Sequence, residues 1–321
     1  MGNSNNKYLH KQLHDKYNNN TLKTEDIYQY YKKCNYNKEM ILTYACRIKN
    51  EKLALLLIEY HNSCAFDDTH ELLKTKYVEN LALLWACKNE MTDVALKLIE
   101  NGNYTPGQVN NYSNNALILA CCYKMTDVAL KLIENGNCKP GQVNTIGNTA
   151  LIWACKNKMT DVALKLIENG NCKPEYVSNI DNTALLWACK NKMTDVALKL
   201  IKNGNCTPDQ VRVDGNALFL ACGNKMADVA LKLIKNGNCK LEYVSNIGNT
   251  ALILACDNNM TEVALKLIVN GNCKPDHVNN YSNNALILAC KNNMTEVALK
   301  LIENGNCKPD HVNNYSNNAL I

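Results

Sequence analysis

The chain has 321 residues, 46% hydrophobic and 20% charged, with 35 Lys and Arg against 30 Asp and Glu for a net charge of +5. Acids and bases are interleaved rather than gathered into runs, which argues against the basic arm of a nucleic-acid binder. A Lys interrupts each Val-Ala-Leu-Lys-Leu-Ile, so no apolar run reaches the roughly 20 residues of a membrane helix, and the polar, Asn-rich opening lacks the apolar core of a secretory signal. A cytoplasmic, non-secreted protein without a membrane span is expected.

In chain order, residues 1–39 form a polar N-terminal segment. Within it Thr24-Glu25-Asp26 opens a short capping helix through Tyr28, Tyr30, Tyr31 and Cys34, with acids in its first turn. Residues 40–80 hold a degenerate first repeat and a long connection: Tyr44-Ala45-Cys46 and Leu53-Ala54-Leu55-Leu56-Leu57-Ile58 are decayed copies of the repeating unit. Residues 81–321 are seven near-identical repeats and a truncated eighth. Their Met falls at 91, 125, 159, 193, 226, 260 and 294, a step of 34 broken by a single 33. Such a period marks a solenoid, whose units cannot bury their apolar faces alone. The sequence stops at Ala319-Leu320-Ile321, three residues into another inner helix. Either it is a fragment or that face is covered, with end-to-end association as the testable form.

Within one repeat, Met159, Val162, Ala163, Leu166 and Ile167 share one helical stripe, while Thr160, Asp161, Lys165 and Glu168 take the other face. This is an outer helix with one wet side, on which Asp161 and Lys165 stand at ion-pairing separation. Ala150 to Cys155 is apolar all round and reads as an inner helix covered on every side, its N-terminus capped by Thr149. Asn115, Thr183, Asn216, Thr250 and Asn284 recur at that capping position. Gly102, Gly136, Gly170, Gly204, Gly237, Gly271 and Gly305 close the outer helices in the left-handed region. Four residues on, Pro106, Pro140, Pro174, Pro208, Pro275 and Pro309 stop helix continuation, and Pro-x-x-Val is placed to start a single fresh turn. The remaining Asn, Ser and Gly residues form a projecting finger.

Most of the 17 cysteines occupy repeat positions, after the inner-helix Ala or after Gly-Asn. Helix packing at about 8–10 Å holds like cysteines beyond disulfide reach, and no Cys-x-x-Cys supplies a zinc site. They read as small buried residues in a reducing compartment.

Helix, turn, helix, Gly and finger at this period resembles the ankyrin repeat. Thr149-Ala150-Leu151-Ile152-Trp153-Ala154 sits where that family has Thr-Pro-Leu-His-x-Ala, and Asp161-Val162-Ala163 through Ile167 and Gly170 matches its second helix and closing Gly. The near-identical, Asn-, Lys-, Ile- and Tyr-rich units are also similar to the ankyrin arrays of large DNA viruses of protists. The resemblance implies an all-α, ankyrin-type solenoid of stacked helix-turn-helix repeats that binds a protein partner through finger tips and concave face. Ala150, Ile152, Lys158 and Met159 replace the family's Pro, His, Gly and His. The departures predict a more purely apolar contact between units, with Met filling gaps, and strained positive φ at Lys158, Lys192 and Lys225 that Asn259 and Asn293 tolerate better.

The six histidines are scattered and none lies near an unrepeated acid or nucleophile, so the expectation is no enzyme, no cofactor, no metal and no small-molecule substrate. Tyr112, Ile146, Ile180, Val213, Ile247 and Tyr281 form a column of apolar residues near the finger tips. They either pack finger to finger or, at Tyr112 and Tyr281, anchor a partner. Lys88, Lys156, Lys190 and Lys291, with Lys158 and Lys192 beside them, make a ladder after the inner helices. It is either a solvated face or a basic strip that steers an acidic protein surface. Two readings stand open: a protein-protein interaction scaffold, and an adaptor subunit that links a target to host machinery through residues 1–64.

Overall fold

The computed structural model describes residues 2–33, 39–63, 79–102, 107–136, 138–180, 183–204, 206–237, 239–270, 273–304 and 307–319. Cys34, Pro106, Gly271, Gly305, Leu320 and Ile321 lie outside them. The described residues form 18 α-helices and no strand, apart from one isolated bridge between Arg212 and Gly215. They divide into two compact units, Met1–Thr145 and Ile146–Ile321. Each is a stack of helix-turn-helix repeats with projecting fingers.

The first unit holds α1 (Gly2–Asn18), α2 (Thr24–Lys33), α3 (Glu39–Arg47), α4 (Glu51–Ser63), α5 (Glu79–Lys88), α6 (Thr92–Glu100), α7 (Ala116–Cys122) and α8 (Thr126–Glu134). Inner helices α3, α5 and α7 pack in sequence, as do outer helices α4, α6 and α8. Helix α1 is one that the sequence pattern does not place, because its apolar residues are few and set among Asn and charged side chains. It packs on α2, and its His10 ring stacks on Tyr44 of α3 at 4.9 Å. The second unit repeats the scheme through α9 (Ala150–Lys156), α10 (Thr160–Asn169), α11 (Ala184–Lys190), α12 (Thr194–Lys202), α13 (Ala217–Gly223), α14 (Ala227–Asn236), α15 (Ala251–Asp257), α16 (Thr261–Val269), α17 (Ala285–Lys291) and α18 (Thr295–Glu303). Odd-numbered helices stack on odd, even on even.

The apolar stripe dictates this arrangement. Val162, Ala163, Leu166 and Ile167 of α10 are buried, as are their equivalents in every outer helix of the second unit except α18, where Ile302 is 44% exposed. Each large aliphatic side chain so covered contributes about 1.5–3 kcal/mol. Inner helices start on a side-chain acceptor: Asn115 Oδ1 accepts from Ile118 N at 2.8 Å and Thr149 Oγ1 from Ile152 N at 3.2 Å. From α6 on, outer helices start on Met, which offers no side-chain cap; α4 differs, Asn50 Oδ1 accepting from Leu53 N at 3.0 Å. Between the two, Lys158, Lys192 and Lys225 adopt φ of 61°, 59° and 61°, the left-handed region expected of them, and Asn259 and Asn293 follow at 57°. A side chain there costs about 1–2 kcal/mol relative to Gly. After the outer helix, Gly170 closes α10 at φ 77°. The Pro segments then form one hydrogen-bonded turn rather than a helix, as in Tyr176 N to Lys173 O at 3.1 Å.

Three sequence expectations need correction. The inner helices are not covered on every side: Trp153 and Trp187 are only half-buried. Asp161 and Lys165 form no ion pair among the described residues. Glu168 instead accepts from Lys199 of the next unit, and Lys97 reaches Glu59 at 3.0 Å, since neighbouring outer helices bring these ends closer. Nor is the contact between repeats purely apolar. The Asn after inner helices α5, α11, α13, α15 and α17 donates back to the last-turn carbonyls of the preceding one: Asn89 to Cys46 O at 2.6 Å, Asn191 to Cys155 O at 2.8 Å, Asn224 to Cys189 O at 3.0 Å, Asn258 to Cys222 O at 2.9 Å and Asn292 to Cys256 O at 2.8 Å. Helix C-termini carry orphan carbonyls that need such donors.

Asn258→Ala leaves a part-buried carbonyl unsatisfied and is expected to cost about 1–3 kcal/mol in urea unfolding; an unchanged midpoint contradicts the ladder. His10 is held below its ordinary 6.5 by burial and then by the Arg47 charge. The unfolded segment therefore binds the proton more readily, so this contribution is full above pH 6.5 and is lost as pH falls through the lowered native value. Protection factors in α1 of the intact chain, taken relative to the intrinsic exchange rate at each pH, should fall on acidification from pH 6.5 toward that lowered value, and His10→Phe should flatten the response.

Candidate interaction surface

The finger tips that carry Tyr are built by Asx turns. Asn110 Oδ1 accepts from Tyr112 N at 2.9 Å and Asn114 N at 3.1 Å, and Asn279 Oδ1 accepts from Tyr281 N and Asn283 N, both at 3.0 Å. The following residue turns left-handed, at Ser113, Gly147, Gly248 and Ser282. At Gly147 a Cβ would meet Asn179 N at 2.7 Å, so the next finger lies against bare backbone there.

Neighbouring fingers join through main chain and amides. Thr145 N donates to Tyr112 O at 3.0 Å in the first unit; Asn280 N donates to Ile247 O at 3.0 Å and Asn314 N to Tyr281 O at 3.1 Å in the second. Asn144 Nδ2 to Asn114 Oδ1 (2.9 Å) and Asn279 Nδ2 to Asn249 Oδ1 (2.8 Å) add side-chain links. His277 and His311 each bond the preceding finger's carbonyl, Gly248 O and Ser282 O, at 2.8 Å. Because the backbone carries these contacts, the tip side chains point out. Tyr112 is 64% exposed, Ile180 62% and Val213 84%, with Ile146, Ile247 and Tyr281 also exposed. Tyr315 takes the same position, exposed as well, and the repeated Asn-Asn-Tyr-Ser-Asn-Asn marks it in the sequence.

The lysine ladder is not uniform. Lys88, Lys156, Lys190 and Lys291 are exposed after their inner helices, while Lys158 and Lys192 are exposed in the strained turns. Lys88 Nζ lies 4.7 Å from the Trp85 ring centre and Lys156 Nζ 4.5 Å from Trp153 and 5.6 Å from Trp187. Lys190 Nζ lies 5.1 Å from Trp187 and pairs with Asp214 at 2.6 Å. Lys291 follows Leu288, with no indole at that place. Three groups that sequence reasoning passes over thus belong here: the tryptophans, Arg212, whose guanidinium lies 5.0 Å over Trp187, and Asp214, 3.5 Å from Arg212 Nε. Partial burial raises the Asp214 carboxyl, but the Lys190 hydrogen bond and the Arg212 and Lys190 charges outweigh this and hold it below the usual range.

The thiols are likewise suited to packing. Burial pushes Cys222 up to about 12 and raises Cys155 and Cys189 further from the thiolate form. No group of three His, Cys, Asp or Glu among the described residues is placed to hold a metal. In mildly alkaline buffer, peptide mapping after treatment with a thiol-disulfide reagent should find Cys155, Cys189 and Cys222 unlabelled in the native chain and labelled in denaturant. Rapid native labelling of any of them contradicts the packing.

With this geometry in place, the comparisons with known proteins are specific on fold and silent on partner. The family profile described as Ankyrin repeats (3 copies) matches residues 117–211 and 218–313. A solved structure, the human ASB11 ankyrin repeat domain, is 23% identical with a TM-score of 0.47, over 69% of this chain and 96% of that one. No curated protein matches the sequence. No helix among the described residues is long and apolar enough to cross a membrane.

Proposed function

The chain belongs to the ankyrin-repeat family, whose repeats are generally protein-protein interaction modules, and from that premise we propose that it is a scaffold binding a protein partner through its finger tips and inner-helix face. The observation that carries this reading is the exposure of the apolar tips, Tyr112 in the first unit and Ile146, Ile180, Val213, Ile247 and Tyr281 in the second, with Tyr112 and Tyr281 each held by an Asx turn and a finger-to-finger main-chain bond yet left with the side chain in solvent. Rigid, exposed aromatic and aliphatic groups at fixed spacing are what interface centres use. Lys156, Lys190 and the turn lysines supply the long-range steering toward an acidic partner surface. A cytoplasmic setting fits a chain with 17 cysteines, whose deeply buried Cys155, Cys189 and Cys222 are thiols. The similarity to arrays of large DNA viruses of protists supports looking for that partner among host-cell proteins.

A second reading, the adaptor, is favoured by α1, a separate helix with Tyr8 63% exposed that packs on the first unit's end rather than continuing the repeats. Removing residues 1–33 should then abolish one set of partners and keep another.

The scaffold is tested by photo-crosslinking in extract from the natural host, with the crosslinker placed at Tyr281, at Trp153 or at the outer-helix Lys165. Adducts are expected at the first two positions and not the third; the opposite pattern sinks the reading. Tyr281→Ala should weaken the captured complex by about 5- to 30-fold, the range for a buried interface Tyr. Lys156→Glu with Lys190→Glu should slow association and remove its salt dependence.

A further inference from the structure

In an array of near-identical repeats, the places where one unit departs from the rest are the places that repetition alone does not explain. The chain has three Trp and two Phe. Two of those Trp and one Phe fall on the consecutive inner helices α9, α11 and α13, as Trp153, Trp187 and Phe219. The third Trp, Trp85, holds the same position on α5, and Leu takes it at 119, 220, 254 and 288. Leu suffices for packing there, whereas the Nε1–H groups of Trp153 and Trp187 are enclosed with no hydrogen-bond partner among the described residues. An unsatisfied buried donor is a cost that Leu avoids.

The short, 33-residue repeat carries the other departures. Its tip reads Arg212-Val213-Asp214-Gly215 in place of the Asn-, Ser- and Gly-rich tips, and a backbone bridge joins Arg212 to Gly215. Gly215 sits at φ 124°, where a Cβ would meet the Phe219 ring at 2.5 Å, so this tip folds down onto the inner helix. Tyr243 closes the far side, its ring 5.0 Å from Phe219 and its hydroxyl donating to Val213 O. Arg212 and Asp214 are thereby brought to Trp187, while Val213 stays outside.

Around Trp187 stand three cations, Lys156, Lys190 and Arg212, and one carboxylate, Asp214. Asp214 answers Lys190 at 2.6 Å and stands 3.5 Å from Arg212 Nε. Lys156 is held between two indole faces, an attraction that fixes the ammonium while leaving its N–H groups directed elsewhere, and among the described residues no carboxylate pairs with it. We propose that this face binds an extended acidic peptide segment of a protein partner, with carboxylates two residues apart taken by Lys156 and Arg212 beside Trp187. Residues two apart on an extended chain lie about 6.6–6.8 Å from each other, a spacing compatible with two cations 5.6 Å and 5.0 Å from one ring centre. Nucleic acid fits less well, because Asp214 would face its phosphates. The inference rests on the scaffold reading and specifies the partner's chemistry. In sequence, Asp181 takes the finger position of Asp214 one repeat earlier; it lies outside the described residues, so the test is run with and without its charge.

The experiment uses the full chain, natural and as Asp181→Asn, and a fluorescein-labelled nonapeptide alternating Glu and Gly. Its controls are the Gln counterpart and a nine-residue oligothymidylate. Anisotropy should report binding that quenches tryptophan emission, falls with salt and weakens about tenfold or more with the Gln peptide. Lys156→Gln, Arg212→Gln and Trp187→Leu should each weaken it about fivefold or more while leaving the urea unfolding curve in place, and Asp214→Asn should tighten it by releasing Arg212 and Lys190 from their carboxylate. Absence of binding in both backgrounds, equal binding of the Gln peptide, indifference to all three substitutions, or tighter binding of the oligonucleotide overturns the proposal. If the peptide fails but crosslinking at Tyr281 still captures a protein, the scaffold stands and only the acidic segment falls; if both fail, the scaffold reading falls with it.

Discussion

Everything in this chain depends on the contact between one helical hairpin and the next. A single hairpin has too little apolar area to cover its own stripe, and nucleating two short helices in isolation is unfavourable. Stacking covers Val162, Leu166 and Ile167 and their counterparts, and the same contact supplies the Asn donors that satisfy the last carbonyls of inner helices such as α9 and α13. Hydrophobic burial provides the driving force. The Asn bonds set the register, since an amide reaching the carbonyls of one particular turn tolerates little sliding.

That division accounts for what could be read in advance. Period, helix faces, caps and closing glycines are local patterns, so Thr149, Met159 and Gly170 announce their roles from spacing alone. Even the strained φ at Lys158 is legible, because it stands where the ankyrin repeat has Gly before its second helix. The Asn ladder is hidden by its own regularity: Lys156-Asn157 and its equivalents look like one polar pair, whereas packing sends the Lys to solvent and, at Asn191 and Asn258, the amide inward. Exchange of ion pairs from within a helix to between helices, as at Glu168 and Lys199, is hidden for the same reason. Sequence separation says nothing about which neighbour lies closer.

The candidate surface was half visible. The tip column stands out by residue type, and its orientation follows once the fingers are seen to join by main chain. The tryptophan face does not stand out, because Trp at an inner-helix position reads as core. Its signal lay in comparing repeats with one another: Leu at 220, 254 and 288 against Trp at 153 and 187, and the Arg212 to Gly215 tip against its neighbours. One missing residue in the spacing and one unusual tip occur in the same repeat, and the tip folds back to Trp187 where the others do not.

The unequal starts of the two helix types have a mechanical consequence. Inner helices are pinned at their first turn by a buried Thr or Asn oxygen, worth about 1 kcal/mol, while outer helices from α6 on begin on Met and rely on a nearby acid and the packing beneath. Thermal breathing is thereby directed to the back of each repeat, and the side that bears Trp153, Trp187 and their lysines is the quieter one. A ligand meeting that side encounters groups already immobilised, so little ordering entropy remains to be lost on association.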